Sequence, residues 1–321
     1  MLPSPDSLAL LLLCSQLGLD DDSVKPLALR ELNPLVRKIQ AASLHPSDLM
    51  TFSAEGLQSR LDLDTQYAIR ITELLSRAIQ PNLTRLSSLG IFPVTRSDTD
   101  YPEKYRQRLE DSAPVVLFYA GEKALLGQPG IAVVGSRHLD EAGKECAAFV
   151  GNACGLSGQV LYSGGAKGVD SISAEAALKA RGTAVSVLAD SLEKQVKGQK
   201  EALKRGDLCL VTPYSPNAGF SVGAAMGRNR LIYCLADYAI VVASDAETGG
   251  TWAGATEALK NNWLPVFVLE HGAMPDGNKL LLQKGALAFP HPFKDAPVKL
   301  PDWLKDKAAS LPAKSSQPSL F

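Results

Sequence analysis

The sequence predicts an α/β protein with a small helical domain on its N-terminal side. From residue 129 to about 298, short apolar runs of strand length alternate with stretches of helical periodicity. That order produces parallel strands joined by right-handed crossovers. The runs are almost wholly apolar, as in a sheet covered on both faces. Residues 1–88 instead repeat apolar positions at helical spacing and show no strand pattern. Together these features describe a Rossmann-like parallel sheet behind a helical domain.

Composition narrows the function classes. The chain has 321 residues, of which 45% are hydrophobic, enough for a sizeable core and for about two domains. Its 33 basic and 34 acidic residues leave a net charge of −1, which excludes a general polyanion-binding surface. Contact with nucleic acid then requires a local basic cluster. Five scattered cysteines (Cys14, Cys146, Cys154, Cys209, Cys234) without a CxxC pair argue against a disulfide framework and a structural zinc site. The apolar run at 8–14 is too short to span a bilayer and is flanked by Asp6, Asp20, Asp21 and Asp22 rather than by basic residues. Neither a membrane span nor a signal peptide is expected, and the expected location is cytoplasmic.

In chain order, helices are expected at 8–17, 27–39 and 67–79. Pro34 is expected to start or kink the second of these, and Pro46 and Pro81 to interrupt the helical pattern. Residues 89–128 read as an extended connector packed on the next domain, with extended segments at 89–91 and 115–119 around a polar stretch at 98–105. In the third region, strands are expected at 131–134, 160–162, 183–188, 208–212, 238–243 and 264–269, and helices at 141–154, 169–181, 223–235 and 253–261. The tail at 299–321 is expected to be flexible after a short helix at 303–309. There is no internal repeat.

In an open parallel sheet, ligands bind beyond the carboxyl ends of the strands. Three glycine-bearing loops occupy such positions. The first holds Gly135, Ser136 and Arg137, the second Ser163, Gly164, Gly165, Lys167, Gly168 and Asp170, and the third Gly249, Gly250 and Thr251. Glycine lets backbone amides approach an anion, the following helix terminus adds partial positive charge, and Arg137 and Lys167 add full charges. Any one such loop serves equally well as a tight turn, so the weight lies in three of them falling in register. None is a Walker A sequence and the first lacks GxGxxG, which disfavours dinucleotide binding. A fourth element, Arg228, Asn229 and Arg230 ahead of an apolar helical segment, can fork onto phosphates while the asparagine reads a sugar or base edge. Its plain alternative is an arginine pair bonded to neighbouring groups.

The order of these motifs resembles the DNA-processing protein A (DprA/Smf) family. It runs Val133-Val134-Gly135-Ser136-Arg137, then Ser163 through Asp170, then Arg228-Asn229-Arg230-Leu231-Ile232, then Gly250-Thr251-Trp252, with Asp100-Tyr101-Pro102 and residues 114–121 upstream. The resemblance implies single-stranded DNA binding and, in natural transformation, delivery of that DNA to the RecA recombinase. It implies a pocket on Ser136, Arg137, Gly164, Lys167 and Gly168, with Arg228, Asn229 and Arg230. Four departures mark a divergent member: Ala174 stands where the family has histidine, Ala225 and Met226 replace the Phe and Pro of its FPxRNR pattern, Gly254 replaces a threonine, and Leu269-Glu270 replaces Pro-Gly. The related LOG and SLOG proteins bind or cleave nucleotides on this fold. That enzyme reading would need Glu257 or Asp170 as a general base, whereas a third reading is an interaction module whose pocket has lost its ligand.

No catalytic constellation is found, and no metal or cofactor is expected. His138 lies beside the first loop without a placed carboxylate, Asp170 is read chiefly as capping its helix or binding loop amides, and Trp252 either stacks a base or fills the core. At the far end, Gln317, Leu320 and Phe321 follow a Pro/Ser/Lys-rich stretch and resemble the bacterial sliding-clamp-binding peptide QxxLF. A homodimer stays open, since nothing in the sequence sets the oligomeric state.

Overall fold

A computed structural model describes residues 3–19, 24–272 and 274–310. In chain order its elements are α1 (Pro5–Cys14), α2 (Leu29–Ala41), α3 (Ala54–Leu61), α4 (Thr65–Leu75), α5 (Gln80–Ser88), β1 (Ile91–Thr95), α6 (Glu103–Leu109), β2 (Val116–Gly121), β3 (Gly130–Val134), α7 (Glu141–Ser157), β4 (Val160–Ser163), α8 (Val169–Lys179) and β5 (Ala184–Val187). Then follow α9 (Leu192–Gly198), α10 (Lys200–Arg205), β6 (Leu208–Thr212), α11 (Val222–Leu235), β7 (Tyr238–Val241), α12 (Gly249–Asn261), β8 (Val266–Glu270), α13 (Asp276–Gln283), β9 (Leu287–Pro290) and α14 (Leu300–Ala309). No helix among the described residues is long and apolar enough to cross a membrane.

The chain forms two compact units that do not follow its linear order. The first joins residues 1–128 to 185–235, and the second joins 129–184 to 236–321.

In the first unit the strand order is β1-β2-β6-β5. β1 pairs antiparallel with β2, and β2 pairs antiparallel with β6. Residues 91–95 and 116–121, within the stretch read from sequence as an extended connector, therefore form paired antiparallel strands. The N-terminal helices pack through Leu10, Leu11, Leu12 and Leu13 of α1, Leu32, Leu35 and Ile39 of α2, and Ile71 and Leu74 of α4, all buried. Pro46 and Pro81 fall at breaks between α-helices, as expected, whereas Pro34 does not start its helix. α2 begins ahead of Pro34 and runs through it, while the proline at 46 starts a 3-10 turn and Pro81 lies in the first turn of α5. At a first turn the missing N–H costs nothing, since no carbonyl precedes it in the helix. Ser4 caps α1 by accepting from the Ser7 amide, Ser53 caps α3 from Gly56, and Asp64 caps α4 from Tyr67. The polar stretch beyond residue 98 contains α6, a helix the sequence reading did not separate from its surroundings.

The second unit carries the Rossmann-like sheet, in the order β4-β3-β7-β8-β9. β3 pairs with β4 and with β7, β7 with β8, and β8 with β9, every one parallel. β3 is buried at all five positions, and β4 at all four. From β3 the chain crosses through α7 to β4 on one side, whereas β7, β8 and β9 lie on the other. The strand order therefore reverses beside β3, which is the topological switch point of a doubly wound sheet. Residues 276–283 and 287–290, unassigned from sequence, form α13 and β9. Phe289, Phe293 and Trp303 pack ring against ring and seat α14. The helical part of the expected tail is thus longer than 303–309, and Gln317, Leu320 and Phe321 lie outside the described residues.

α7 and α8 pack at the distance that glycine permits. A Cβ on Gly151 would overlap the Ser173 carbonyl and lie 2.9 Å from the Ala176 Cβ, and one on Gly155 would lie 2.6 Å from the Ala180 Cβ. Cys146 and Cys154 face the same interior, and burial pushes both thiols up to about 12, so they act as small apolar groups. Gly151→Ala is expected to cost about 1–3 kcal/mol through overpacking, measured as a lower urea midpoint at unchanged slope.

Candidate functional site

The carboxyl ends of β4, β3 and β7 lie side by side in the second unit, so the three glycine loops predicted from sequence form one surface. Their backbones touch. A Cβ on Gly135 would come within 2.5 Å of the Val169 Cγ2 and 3.1 Å of the Ala243 nitrogen. The Ser136 amide donates to the Ala243 carbonyl at 2.9 Å. Gly168 has φ +83°, and a Cβ there would lie 2.5 Å from the Ser136 carbonyl oxygen and 2.7 Å from the Arg137 Cα. Only glycine fits at both places, for steric reasons at 135 and for both steric and dihedral reasons at 168.

Asp170 closes the second loop. It is 7% exposed. Its Oδ2 accepts from the Gly164 amide at 3.0 Å and from the Ala166 amide at 3.2 Å. Such bonds to an ionised acceptor are among the stronger ones in a protein. The carboxylate is part of the loop's framework, as the sequence reading favoured. Gly165 and Lys167 stand outward and are exposed. Ser163 is fully buried, and its Oγ has no hydrogen-bond partner.

The helix ends beside these loops differ. At α7, Asp140 accepts from the Gly143 amide at 2.8 Å, so the protein's own carboxylate occupies that terminus. Arg137 and His138, just before it, are exposed. α12 begins at Gly249, at φ +79°, with no side-chain cap and no acidic residue in its first turn. Its partial positive charge, contributed by Gly249, Gly250 and Thr251, is balanced by no carboxylate of its own first turn. Glu257 sits about 12 Å further along the helix axis, from the rise per residue. Trp252 is half-buried, with the Lys284 Nζ 5.8 Å above its ring. Among the described residues, no group of three or more His, Cys, Asp or Glu could hold a metal ion.

Two supporting residues escaped the sequence reading. Asn278 of α13 is fully buried and receives the Ser244 amide on its Oδ1 at 2.9 Å. Its Nδ2 donates to the Val242 carbonyl at 3.0 Å and to the Leu269 carbonyl at 3.1 Å. This one side chain fixes the start of the third loop. Gly277 beside it lies against the Ser244 and Asp245 carbonyls, where no Cβ would fit. The adjacent Gly277 and Asn278 in a polar stretch are the only sequence signal, and a turn explains that pair equally well.

The first unit positions α11. At its C-terminal end, α6 supplies three donors: the Lys104 Nζ to the Leu235 carbonyl at 2.9 Å, the Tyr105 Oη to Leu231 at 3.1 Å, and the Arg108 Nη1 to Tyr233 and Cys234 at 3.2 Å each. Two cations at a helix C-terminus also oppose its partial negative charge. Near the N-terminal end, the Tyr214 phenol donates to the Ala224 carbonyl at 2.9 Å. Burial raises that phenol's pKa against the pull of the Arg228 and Arg230 charges, so it stays a donor. Arg228 is only 6% exposed and donates through Nη1 to the Val187 carbonyl at the end of β5. Arg230 is half-buried, its Nη2 reaching the Ser112 carbonyl at 3.4 Å, and Asn229 is also half-buried. The arginine pair therefore divides, with Arg228 tied into the fold and Arg230 nearer the surface.

Comparison with known proteins follows from this geometry. The family described as DNA recombination-mediator protein A matches residues 93–295, more than half of the chain. The chain belongs to that family. It is 31% identical over 181 residues to DNA processing protein DprA of Streptococcus pneumoniae, covering 54% of this chain and 63% of that protein. The aligned stretch thus spans less than two thirds of that relative. The X-ray structure of DprA from S. pneumoniae superposes with TM-score 0.58 at 23% identity, covering 80% of this chain and 94% of that one. A structure of DNA processing protein A from Helicobacter pylori, described for its single-stranded DNA binding mode, gives TM-score 0.55 at 26% identity, covering 67% of this chain and 97% of that one.

Asp170→Ala is expected to leave the Gly164 and Ala166 amides without their acceptor and to lower stability by about 1–3 kcal/mol. Chemical denaturation would measure it, and Asp170→Asn, which keeps one oxygen, is expected to lose less.

Proposed function

We propose that this protein binds single-stranded DNA and acts in DNA processing during recombination, transformation, repair or phage defence. The observation that carries the reading is the surface of three adjacent loops at the switch point. It presents Arg137 and Lys167 beside a helix terminus without an acidic cap. Such a surface takes phosphates through backbone amides and point charges and carries little base specificity. Membership of the DNA recombination-mediator protein A family and the likeness to the H. pylori protein support DNA as the polyanion. In this reading Gly135, Ser136, Arg137, Gly165, Lys167, Gly168, Gly249, Gly250 and Thr251 line the phosphate path, over the buried Ser163 and Gly164. Asp170 holds the second loop in shape; in the first unit, Asn229 and Arg230 are proposed separately as phosphate contacts, braced by Arg228.

The nucleotide-cleaving alternative draws less support. It needs a carboxylate facing the ligand, and Asp170 already accepts two loop amides while Glu257 stands two turns into α12.

Finer parts of the proposal concern partners. The Gln317, Leu320 and Phe321 pattern supports tethering to the replication sliding clamp, with two apolar side chains filling a pocket and the glutamine hydrogen-bonding beside it. Delivery of the strand to RecA follows from the family resemblance, and a homodimer is compatible with it. The cytoplasm is the proposed location.

Fluorescence anisotropy of a labelled oligonucleotide over a salt series tests the DNA reading. Lys167→Ala and Arg137→Ala are each expected to weaken binding and to reduce the log–log salt slope by about 1. No binding by the wild type at low salt would sink the reading. Removing residues 317–321 is expected to abolish co-elution with the purified sliding clamp and to leave oligonucleotide affinity unchanged.

A further inference from the structure

Many cations of the first unit are matched to an acid. Arg37 meets Asp111, Arg70 meets Glu31, Arg85 meets Glu193, Lys123 meets Asp100 and Arg205 meets Asp207. Lys194, Lys197, Lys200 and Lys204 differ. All four are exposed, and among the described residues none forms a salt bridge. From residue 194 to 205 the chain carries five basic residues and one acidic residue, Glu201. The flanking acids are engaged: Glu193 is gripped by Arg85 and Asp207 by Arg205, so Lys197 feels Glu193 only at longer range.

The lysines converge on one place. Lys194 and Lys197 stand three apart on α9, Lys200 and Lys204 four apart on α10, spacings that put each pair on one face of its helix. The two helices meet at Gln199, and their elbow encloses an open cavity of about 410 Å³ bounded by Lys197, Gly198, Gln199, Lys200, Glu201 and Arg205. A Cβ on Gly198 would meet nothing within 4 Å, so the wall is open there. The support beneath is fixed. Leu192 and Val196 of α9 are buried, Ser191 caps that helix by accepting the Lys194 amide at 3.3 Å, and the Glu193 amide donates to the Pro216 carbonyl at 3.0 Å.

The chemistry of the lining selects the ligand. Like charges at neighbouring helix positions repel, so an anion that spans them is favoured by each. One phosphate would leave most of the four uncompensated. Ala202 is the only apolar side chain on the wall, which leaves nothing to stack a base or to anchor a protein partner. Lysine binds phosphate as a compact point charge with three donors. Several lysines in succession match an anion whose charges are strung along a chain.

We propose that the α9–α10 elbow binds an oligophosphate, either inorganic triphosphate or the triphosphate tail of a nucleotide. The elbow belongs to the first unit and the three glycine loops to the second, so this site is independent of the DNA reading.

Isothermal titration of the full-length protein with sodium triphosphate, inorganic phosphate and ATP tests it. Triphosphate is expected to bind, and inorganic phosphate to bind much more weakly. Equal affinity for ATP and triphosphate would identify the phosphate chain alone as the ligand, whereas tighter ATP binding would identify nucleotides as its source. Lys197→Gln/Lys200→Gln is expected to weaken triphosphate binding about 2- to 30-fold. Lys25→Gln/Arg30→Gln removes the same charge from other exposed positions of the unit and should bind triphosphate like wild type. Equal thermal midpoints without ligand confirm that the exposed substitutions leave the fold intact. The site is wrong if the wild type takes up no triphosphate at low salt, or if Lys197→Gln/Lys200→Gln binds it as tightly. An equal loss in both double variants also overturns it, since net charge and not the elbow would then hold the anion.

Discussion

Three loops can share one surface at the ends of adjacent parallel strands only if their backbones come into contact, and Gly135 and Gly168 make that contact possible. Gly135 lies against the Ala243 backbone and the Val169 side chain, and Gly168 lies against Ser136 and Arg137. A methyl group at either position would come within 2.5 Å of a neighbouring atom and force the loops to shift. The remaining features depend on this approach. The Ser136 amide reaches the Ala243 carbonyl because Gly135 admits it, and the first turn of α8 starts where Gly168 turns the chain. The surface available to an anion is thus set by packing before it is set by charge.

Much of the glycine-loop geometry serves the fold. Of the amides that a phosphate could use, those of Gly164 and Ala166 are given to Asp170, that of Ser136 to Ala243, and that of Ser244 to Asn278. The protein satisfies its buried donors internally, as a water-poor sheet end requires. Charge on this surface comes from the exposed side chains of Arg137 and Lys167 and from the start of α12, whose first turn holds no acidic residue. That division explains why the loops read so clearly as anion sites from sequence while many of their amides are engaged elsewhere. Arg228 and Arg230 both donate to carbonyls of their own unit, but Arg228 is buried whereas Arg230 is half-buried and reaches the Ser112 carbonyl at 3.4 Å.

In the first unit the same logic applies to a helix. α11 is held at one end by Tyr214 and at the other by Lys104, Tyr105 and Arg108. A helix restrained at both ends keeps Val222 and Met226 exposed without burying them by local rearrangement.

The alternation of apolar strands with amphipathic helices, the glycines after β3, β4 and β7, and the basic triplet at 228–230 were legible in the sequence, because each is a local pattern whose period or spacing follows from backbone geometry. The helix at 103–109 was missed because its apolar positions are few, and the run of α2 through Pro34 because propensity yields to the burial of Leu32, Leu35 and Ile39. The antiparallel pairing of β1 and β2 was equally invisible, since a strand's direction depends on its neighbour. What only the tertiary structure decided is which polar group meets which: Asp170 with two loop amides, Asn278 with three backbone groups, α6 with the end of α11, Arg228 buried and Phe220 exposed. Apart from the Asp170 bonds, these join residues far apart in sequence or concern burial. A residue type states what a side chain can donate or accept, whereas its partner and its access to water are properties of the packed chain.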